Sequence, residues 1–190
     1  MTNPDNPKQQ LRQRMQARML DAQHDPQAPL RVRDLFLKHF AKLDPPLVVA
    51  ATMPIRNEMD AGPLREALAA SGHPICLPVM VEKGQPLNFR LYRPGEALVQ
   101  MAWGIQEPHP NAPLATPEIL LCPLMAFDRR CHRLGYGGGF YDVTIQSLRA
   151  NGKLLAVGLA YAMQEVEKVP ASAHDQRLDA VVTEKEVILP

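Results

Sequence analysis

The sequence predicts an α/β protein with a mostly parallel central sheet. Residues 47–53 and 119–127 are continuous apolar runs of strand length, as expected for strands that are buried on both faces. Between residues 47 and 79 the order is apolar strand, helix and second apolar strand, which is the βαβ unit of a parallel sheet. Residues 87–92 alternate apolar and polar side chains instead, and so predict an added antiparallel strand.

Composition limits the classes of protein to which this chain can belong. A chain of 190 residues with 46% hydrophobic residues predicts one domain, residues 1–190, with a substantial core. The formal net charge of +1 indicates no broad surface for nucleic acid or an anionic membrane. The cysteines, Cys76, Cys122 and Cys131, are too widely spaced for a zinc site or a disulfide framework. Because neither a signal peptide nor a membrane-spanning apolar run is recognisable, we expect a soluble cytoplasmic protein.

Two helices are predicted before the first strand. The first, residues 8–22, carries a narrow apolar seam formed by Leu11, Met15 and Met19. Lys8 and Arg12 share a neighbouring face, which is either an ordinary solvated surface or part of a binding site. The second helix, residues 30–42, turns four side chains towards the sheet: Val32, Leu35, Phe36 and Phe40.

The first strand, residues 47–53, leads into a polar segment. A helix over residues 63–71 and a strand over residues 74–79 follow it. Ligands of open α/β sheets bind beyond the carboxyl ends of the strands, which makes residues 53–58 part of the functional edge. Glu58 is therefore a candidate anchor for a ligand, the alternative being a solvated loop carboxylate.

A glycine-rich loop within residues 133–142 is the strongest local signal. It follows an apolar run and precedes a predicted helix in which Tyr141 and Ile145 recur at helical spacing. Free N–H groups in such a loop and at the start of a helix suit phosphate. Arg133 would add a fork of donors, and Asp142 could hold a cation that accompanies the phosphate. The loop matches neither the lysine-containing phosphate loop nor the dinucleotide fingerprint, and a turn needed only for close packing is the alternative.

The later part of the chain supplies further strands and polar candidates. Trp103 lies in a proline-rich connection, where it is either a core side chain or a flat surface for a ligand ring. Residues 154–160 predict another buried strand, and residues 180–182 and 187–189 predict two short ones. His174-Asp175 lies in a loop of this region, where turn chemistry at the surface is the simplest interpretation.

These positions together resemble the 5-formyltetrahydrofolate cyclo-ligase family over residues 8 to about 187. The order and spacing of the matching motifs agree throughout, and the arginine-to-aspartate loop is the most specific of them. The motifs are Lys8-x-x-x-Arg12, Glu58-x-Asp60, Phe89, Glu107-Pro108, Phe127-Asp128, Arg133 to Asp142, Gln164, His174-Asp175 and Val182-Thr183-Glu184. The resemblance implies a three-layer α/β/α fold of the NagB/RpiA/CoA-transferase type, with an antiparallel strand or hairpin beside the mostly parallel sheet.

The resemblance also implies an activity. It is the ATP- and Mg²⁺-dependent conversion of 5-formyltetrahydrofolate to 5,10-methenyltetrahydrofolate, with release of ADP and phosphate. The formyl oxygen would be phosphorylated, giving an imidate intermediate, before the ring closes. The partners would be ATP and the folate, with no nucleic acid or membrane, and we expect a monomer or weak dimer.

The same resemblance implies the roles of individual residues. Lys8 and Arg133 are expected to act on the phosphates during catalysis, and Asp142 and Asp175 to hold Mg²⁺. The residues expected at the folate are Met53, Glu58 and Trp103. Those expected at ATP are Lys8, Gln9, Gln10, Leu11, Arg12, Arg133, Leu134, Gly135, Tyr136, Gly137, Gly138, Gly139, Phe140 and Tyr141.

The chain departs from the family pattern at three places. Cys131 occupies a position that is commonly glycine, Val143 one that is frequently basic, and Met53-Pro54 replaces a more usual aromatic residue near the folate. These departures bear on loop shape and substrate affinity more than on the type of reaction. Two alternatives stay open: a non-catalytic folate-binding regulator, and an enzyme of the sugar-phosphate isomerase or CoA-transferase type with the same fold.

Overall fold

A seven-stranded sheet forms the centre of the computed structural model, which describes residues 6–44, 46–55, 57–101 and 105–190. The helices of this described part are α1 (Pro7–Leu20), α2 (Ala28–His39), α3 (Gly62–Ala70) and α4 (Phe140–Asn151). None of these described helices combines the length and the apolar character needed to cross a membrane. The strands are β1 (Val49–Ala50), β2 (Ile75–Val79), β3 (Asn88–Leu91), β4 (Val99–Gln100), β5 (Gln106–Glu107), β6 (Ile119–Cys122), β7 (Ala126–Phe127), β8 (Arg133–Leu134), β9 (Leu155–Leu159), β10 (Ala180–Val182) and β11 (Val187–Ile188).

The sheet is parallel at its centre and antiparallel at both edges. Its strand order is β11-β10-β9-β6-β1-β2-β3. β1 runs parallel to both neighbours, with Val49 beside Ile75 of β2 and Ile119 of β6. β9 continues the parallel pairing with β6 and β10, whereas β3 and β11 are antiparallel to their neighbours. The predicted mostly parallel sheet with an added antiparallel strand is confirmed.

Helices cover both faces of this sheet. α2 and α3 pack on one face, where Phe36 and Leu64 are buried together with Val49. α4 packs on the other face, where Ile145 is buried together with Ala50. Val49 and Ala50 face opposite layers because successive side chains of a strand point to opposite sides. The architecture is therefore the predicted three-layer α/β/α arrangement.

The apolar run 119–127 is not the single strand that its length predicts. β6 ends at Cys122, and the residues after Pro123 leave the main sheet to form β7, which pairs with β8 in a separate two-stranded sheet. Proline cannot donate to a ladder, so the pairing stops there. The buried Gln164 amide holds the chain after this break by donating to the carbonyl oxygen of Leu124 at 2.7 Å.

The other predicted elements are present, with ends that differ by up to three residues. The largest difference within a strand is in the predicted strand 47–53, because the ladder of β1 covers only Val49–Ala50. The sheet pairing nevertheless extends one residue further, since the backbone N–H of Ala51 donates to Cys76 at 3.0 Å.

α1 lies against the small β7–β8 sheet, and its predicted apolar seam is buried. Leu11 and Met15 pack in one cluster with Leu134 of β8. Asn6 caps the helix by accepting the backbone N–H of Lys8 at 3.0 Å. The basic first turns of α1 therefore lie beside the glycine loop that follows β8.

Gly158, in the central strand β9, allows close packing of its neighbours, and we predict that Gly158→Ala destabilises the protein. A Cβ there would lie 2.7 Å from Leu124 Cδ2 and 2.8 Å from Leu178 Cδ1. Overpacking of this kind should lower the free energy of unfolding by about 1–3 kcal/mol, measured by urea denaturation. Gly152→Ala is the matched control, because its surroundings are open within 4 Å and its φ of 166° suits any residue. Equal stabilities of the two variants would contradict the packing argument.

Candidate functional site

Four contacts join distant parts of the chain at the carboxyl-terminal edge of the sheet. They connect α1, the segment after β1, the glycine loop with the first turn of α4, and the loop before β10. The contacts are Lys8 to Asp175, Arg12 to Gly135, Glu58 to Tyr136, and Asp142 to Gln176. Most residues that the sequence predicts for a site thus come together around one loop.

The glycine loop has a backbone conformation that favours glycine. Gly137 and Gly139 have φ angles of 103° and 75°, in the left-handed region that other residues rarely adopt. Gly139 is also the N-cap of α4, and the described residues supply no side-chain cap there. The N–H groups at the start of α4 are therefore available to an anion, at the positive end of the helix dipole.

Arg133 is a buried cation between this loop and α4. Its side chain is 3% exposed, and Nη2 donates to Asp142 Oδ1 at 3.0 Å. Its guanidinium carbon lies 5.5 Å from the centre of the Tyr141 ring. Burial, with the nearby Cys122 and Glu58, raises the pKa of Tyr141, so this ring stays neutral. The buried Nε of Arg133 has no acceptor among the described residues, so the protein alone does not satisfy the guanidinium.

Lys8 forms an ion pair with Asp175. Its Nζ lies 2.6 Å from Oδ1, and the carboxylate also accepts the Ser172 hydroxyl at 2.9 Å. Burial would raise the pKa of Asp175, but the hydrogen bonds from Lys8 and Ser172 outweigh it and hold the pKa below its ordinary value. Asp175 is therefore ionised at neutral pH, with Lys8 as its counter-ion.

Arg12 reaches the glycine loop from α1. Its Nε donates to the carbonyl oxygen of Gly135 at 2.8 Å. A Cβ at Gly137 would lie 3.4 Å from the guanidinium carbon of Arg12, so loop and side chain are already in contact. Lys8, Arg12 and Arg133 thus place positive charge on different sides of the same loop.

Asp142 and Asp175 have the chemistry of ligands to a magnesium ion that arrives with a nucleotide. Asp142 Oδ1 accepts the backbone N–H of Gln176 at 3.0 Å, which holds its carboxylate beside the segment that carries Asp175. In the described part of the chain, no group of three or more acidic, histidine or cysteine side chains could hold a metal. Magnesium is usually bound by one or two carboxylates together with phosphate oxygens. The pair fits that arrangement better than a closed, all-protein metal site.

Glu58 lies on another side of the glycine loop, in the segment after β1. Its Oε2 accepts the backbone N–H of Ile55 at 3.0 Å, and the Tyr136 hydroxyl also donates to the carboxylate. Burial raises the pKa of Glu58 above its ordinary 4.5, and the two hydrogen bonds offset only part of that effect. A cavity of about 10 Å³, room for about one water molecule, adjoins Glu58 and Thr52.

Met53 is the second described residue of the predicted folate half. It is half-buried, and its Sδ lies 3.3 Å from Nη1 of Arg65. Trp103, the third residue predicted there, lies outside the described residues. A larger cavity of about 710 Å³ lies beside the edge strand β3, with Tyr92 and His109 in its lining, and adjoins none of the predicted site residues.

The remaining predicted residues differ in how they face the loop. Leu11 and Leu134 are buried in the cluster behind it, so only their backbone could reach a ligand. Gln9 is half-buried and Gln10 is exposed on α1. Phe140 packs partly against the core layer beneath α4. The side chains that converge are therefore the charged ones, together with Tyr136 and Tyr141.

Asp128 holds the turn between β7 and β8, a role that the matching motif Phe127-Asp128 does not itself specify. It is fully buried in the turn between β7 and β8, where its carboxylate accepts the backbone N–H groups of Arg130 and His132 at 3.0 and 3.1 Å. It also accepts the N–H of Val169 at 3.1 Å. Burial would raise the pKa of Asp128, but these backbone bonds outweigh it. An aspartate in a turn signals local capping, whereas the bond to Val169 depends on the tertiary fold.

Cys131, in the same turn, has a φ of 58°, in the left-handed region that glycine adopts most easily. Its side chain is fully buried. Burial raises the pKa of this thiol to about 11, so it stays protonated and unreactive at neutral pH.

Comparison with known proteins shows the family to which this chain belongs. Residues 4–184 match the sequence model of the 5-formyltetrahydrofolate cyclo-ligase family. A 5-formyltetrahydrofolate cyclo-ligase of Escherichia coli (strain K12) is 39% identical over 152 residues, which cover 75% of this chain and 83% of that protein. The protein of that name from Mycolicibacterium smegmatis is 32% identical over 149 residues, covering 74% and 75%.

Two solved structures share the fold of this chain. The NMR structure of 5,10-methenyltetrahydrofolate synthetase from Aquifex aeolicus superposes with a TM-score of 0.75 at 26% identity, covering 96% of this chain and 92% of that one. A 5,10-methenyltetrahydrofolate synthetase from Mycoplasma pneumoniae shares the fold, with a TM-score of 0.74 at 17% identity and coverage of 94% and 99%. The matching sequence model and the E. coli relative together show that this chain belongs to the 5-formyltetrahydrofolate cyclo-ligase family.

Proposed function

We propose that this enzyme closes the ring of 5-formyltetrahydrofolate to give 5,10-methenyltetrahydrofolate, with conversion of ATP to ADP and phosphate. The observation that carries the proposal is the convergence of Lys8, Arg12 and Arg133 on one glycine loop, with Asp142 and Asp175 between them. The loop that we propose to bind phosphate also reaches a partly buried carboxylate, Glu58, through Tyr136, as a reaction between a nucleotide and a second substrate would require.

The chemistry explains the need for ATP. A formamide carbon is a weak electrophile, and its oxygen is a poor leaving group. Attack of the formyl oxygen on the γ-phosphorus would release ADP and give an imidate phosphate. The folate N10 nitrogen then attacks the activated carbon and gives up its proton, and phosphate leaves as the ring closes. The protein must mainly position the reactants and stabilise charge on the phosphoryl group.

The chain's own groups divide this work. Lys8 and Arg133 would stabilise the transferring phosphoryl group, Arg12 would bind the nucleotide phosphates, and the N–H groups of the glycine loop would supply further donors. Magnesium, when bound, would neutralise phosphate charge, and Asp142 and Asp175 are the residues that would hold it. Gln9, Gln10, Gly138 and Tyr141 would line the same half, as the family resemblance implies.

The ion pairs of the free protein suggest how a nucleotide and its metal would bind in the proposed phosphate half. Each proposed metal ligand is paired with a proposed phosphate-binding cation, Asp175 with Lys8 and Asp142 with Arg133. When a nucleotide and its metal arrive, the carboxylates can exchange their cations for the metal while the cations turn to phosphate. Neither ligand alone completes this exchange, so we expect the two to bind synergistically.

The folate half would be centred on Glu58, which can accept the N–H donors of the pterin ring. Met53 and Trp103 are proposed to contact the folate as well. A pterin is far larger than the cavity of about 10 Å³ beside Glu58, so Tyr136 would move aside as the folate binds.

Membership of the family favours this reaction over isomerase or CoA-transferase chemistry. We further propose that residues 1–190 act as one cyclo-ligase domain, as a monomer or weak dimer. The cysteines, Cys76, Cys122 and Cys131, are free and buried, which supports a cytoplasmic location.

The direct test is turnover by the purified protein. Mixing it with 5-formyltetrahydrofolate, Mg²⁺ and ATP should raise the near-ultraviolet absorbance of methenylfolate, with ADP formed in equal amount. Omission of ATP is the control and should abolish the signal. A folded protein that forms no product contradicts the proposal, and folate binding without turnover would favour the regulator instead.

Lys8→Met should weaken the binding of ATP and strengthen the binding of the metal ion in the proposed phosphate half. The KM for ATP should rise by about 10- to 100-fold, because a charge-assisted contact to phosphate is lost. Binding of Mn²⁺ alone, followed by electron paramagnetic resonance, should tighten several-fold, because Asp175 no longer has its counter-ion. Lys83→Met, which removes an exposed lysine from a turn, is the matched control. Unchanged Mn²⁺ affinity in Lys8→Met would argue against the exchange of partners.

Glu58→Gln should weaken folate binding while stabilising the free protein. The KM for the folate should rise by about 10- to 100-fold because the pterin donors lose a charged acceptor. A carboxyl group with a raised pKa stabilises the folded state below 4.5 and loses that contribution as the pH rises through its folded pKa. The stability gain of Glu58→Gln should therefore be present at neutral pH and vanish in acid. Urea denaturation from acid to neutral pH, with the exposed Glu82→Gln as control, checks whether the gain in the free energy of unfolding grows as the pH rises.

A further inference from the structure

Arg65, in the first half of α3, is a buried cation without a counter-ion. The residue is 7% exposed, yet it takes part in none of the ion pairs of the described residues. Its Nε is buried and has no acceptor there. Arg133 is buried to a similar degree but has the carboxylate of Asp142 at 3.0 Å. Arg65 therefore differs from the other buried arginine in lacking a compensating charge.

The contacts that Arg65 does make are weak. Nη1 lies 3.4 Å from the carbonyl oxygen of Thr52 and 3.3 Å from Met53 Sδ. The first distance exceeds the usual N–H···O range, and a thioether is a weak acceptor. The guanidinium carbon is 5.8 Å from the centre of the Tyr92 ring, near the limit for a cation–π contact. Burying a cation with so little compensation is unfavourable unless another partner completes it.

The position of Arg65 points to the partner. Met53 is proposed to contact the folate, and Thr52 adjoins the same cavity as Glu58. Nη2 donates to none of the described residues, so the described part of the chain leaves these donors for a ligand. Lys8, Arg12 and Arg133 lie around the glycine loop, whereas Arg65 lies behind the segment that follows β1.

We infer that Arg65 is a specificity-determining residue that binds an acceptor-only oxygen of the folate substrate through Nη2. This assignment rests on the proposed function. 5-Formyltetrahydrofolate carries two kinds of suitable oxygen: the carboxylates of its glutamate part, and the carbonyls of its pterin and formyl groups. Either kind would supply the negative partner that the protein does not provide, and a guanidinium keeps its charge at every physiological pH.

A purely structural role and a ligand-binding role of Arg65 predict opposite effects of its removal on the stability of the free protein. If Arg65 served only to hold Thr52 and Met53, its loss would destabilise the free protein. If its charge awaits a ligand, Arg65→Met keeps most of the apolar stem and removes an uncompensated charge. The melting temperature of the free variant should then be unchanged or higher by about 2–4 °C. Arg93→Met, which removes an exposed arginine next to Tyr92, is the matched control for net charge.

Calorimetric titration tests the binding role directly. 5-Formyltetrahydrofolate should bind the Arg65→Met variant about 10- to 100-fold more weakly than it binds the wild-type protein. The affinity of Arg93→Met for the folate, and the affinity of Arg65→Met for ATP, should each stay within about twofold of the wild-type value. Arg65→Lys, which keeps the charge, should recover part of the loss. The same titration with 5-formyltetrahydropteroate, which lacks the glutamate, separates the two sources of oxygen. A loss confined to the glutamylated compound identifies a carboxylate, and an equal loss with both identifies a carbonyl.

Two results would overturn the inference, and each points to a different error. Folate affinity of the Arg65→Met variant equal to that of wild type, whatever its stability, rejects the role of Arg65 alone. Wild-type protein that binds neither compound rejects the proposed function together with this inference.

Discussion

The ion pair between the buried Arg133 and the partly exposed Asp142 is the interaction on which the site depends. Removing Asp142 would leave the charge of Arg133 buried alone, and the loss of one partner of a buried pair typically costs about 3–5 kcal/mol. Here the pair also joins three segments, since Arg133 projects from β8, Asp142 lies in the first turn of α4, and Asp142 accepts the N–H of Gln176. The loop that precedes β10 is thereby fixed beside the helix. Lys8 can reach Asp175 from α1 because that loop is held in place.

The two halves of the site treat charge differently. In the proposed phosphate half, Lys8 and Arg133 are already paired with Asp175 and Asp142 in the free protein, so ligand binding would exchange these partners. In the proposed folate half, Arg65 has no carboxylate among the described residues, and burial raises the pKa of Glu58. The two groups do not pair with each other there. A buried donor and a buried acceptor kept apart match a ligand that carries both N–H donors and oxygen acceptors, and each opposes the folded state until that ligand arrives.

The parts of this structure that follow from the sequence are those fixed by local pattern. Apolar runs and alternation predicted the sheet, and the shared direction of parallel strands placed Glu58 on the same edge as the glycine loop. The sequence shows a proline at position 123 within the apolar run. It does not show that a second small sheet begins there, because that sheet depends on the pairing of β7 with β8. The bond from Val169 to Asp128 and the burial of Arg65 behind Met53 arise only when distant segments pack. Polar groups satisfied by tertiary contacts leave no periodic signal.

The glycine loop would also couple the two proposed halves, through Tyr136. This residue is 50% exposed and donates to Glu58, while the adjacent Gly135 accepts from Arg12. Under the proposed function, pterin donors at Glu58 would take the place that Tyr136 occupies, and phosphates that draw Arg12 away would remove the bond to Gly135. Each substrate would then break one of these two contacts of the ligand-free loop. Because neighbouring residues of one loop carry both contacts, the loop would be released from both only when both substrates are bound, which would disfavour loss of the γ-phosphate to water before a formyl oxygen is in place.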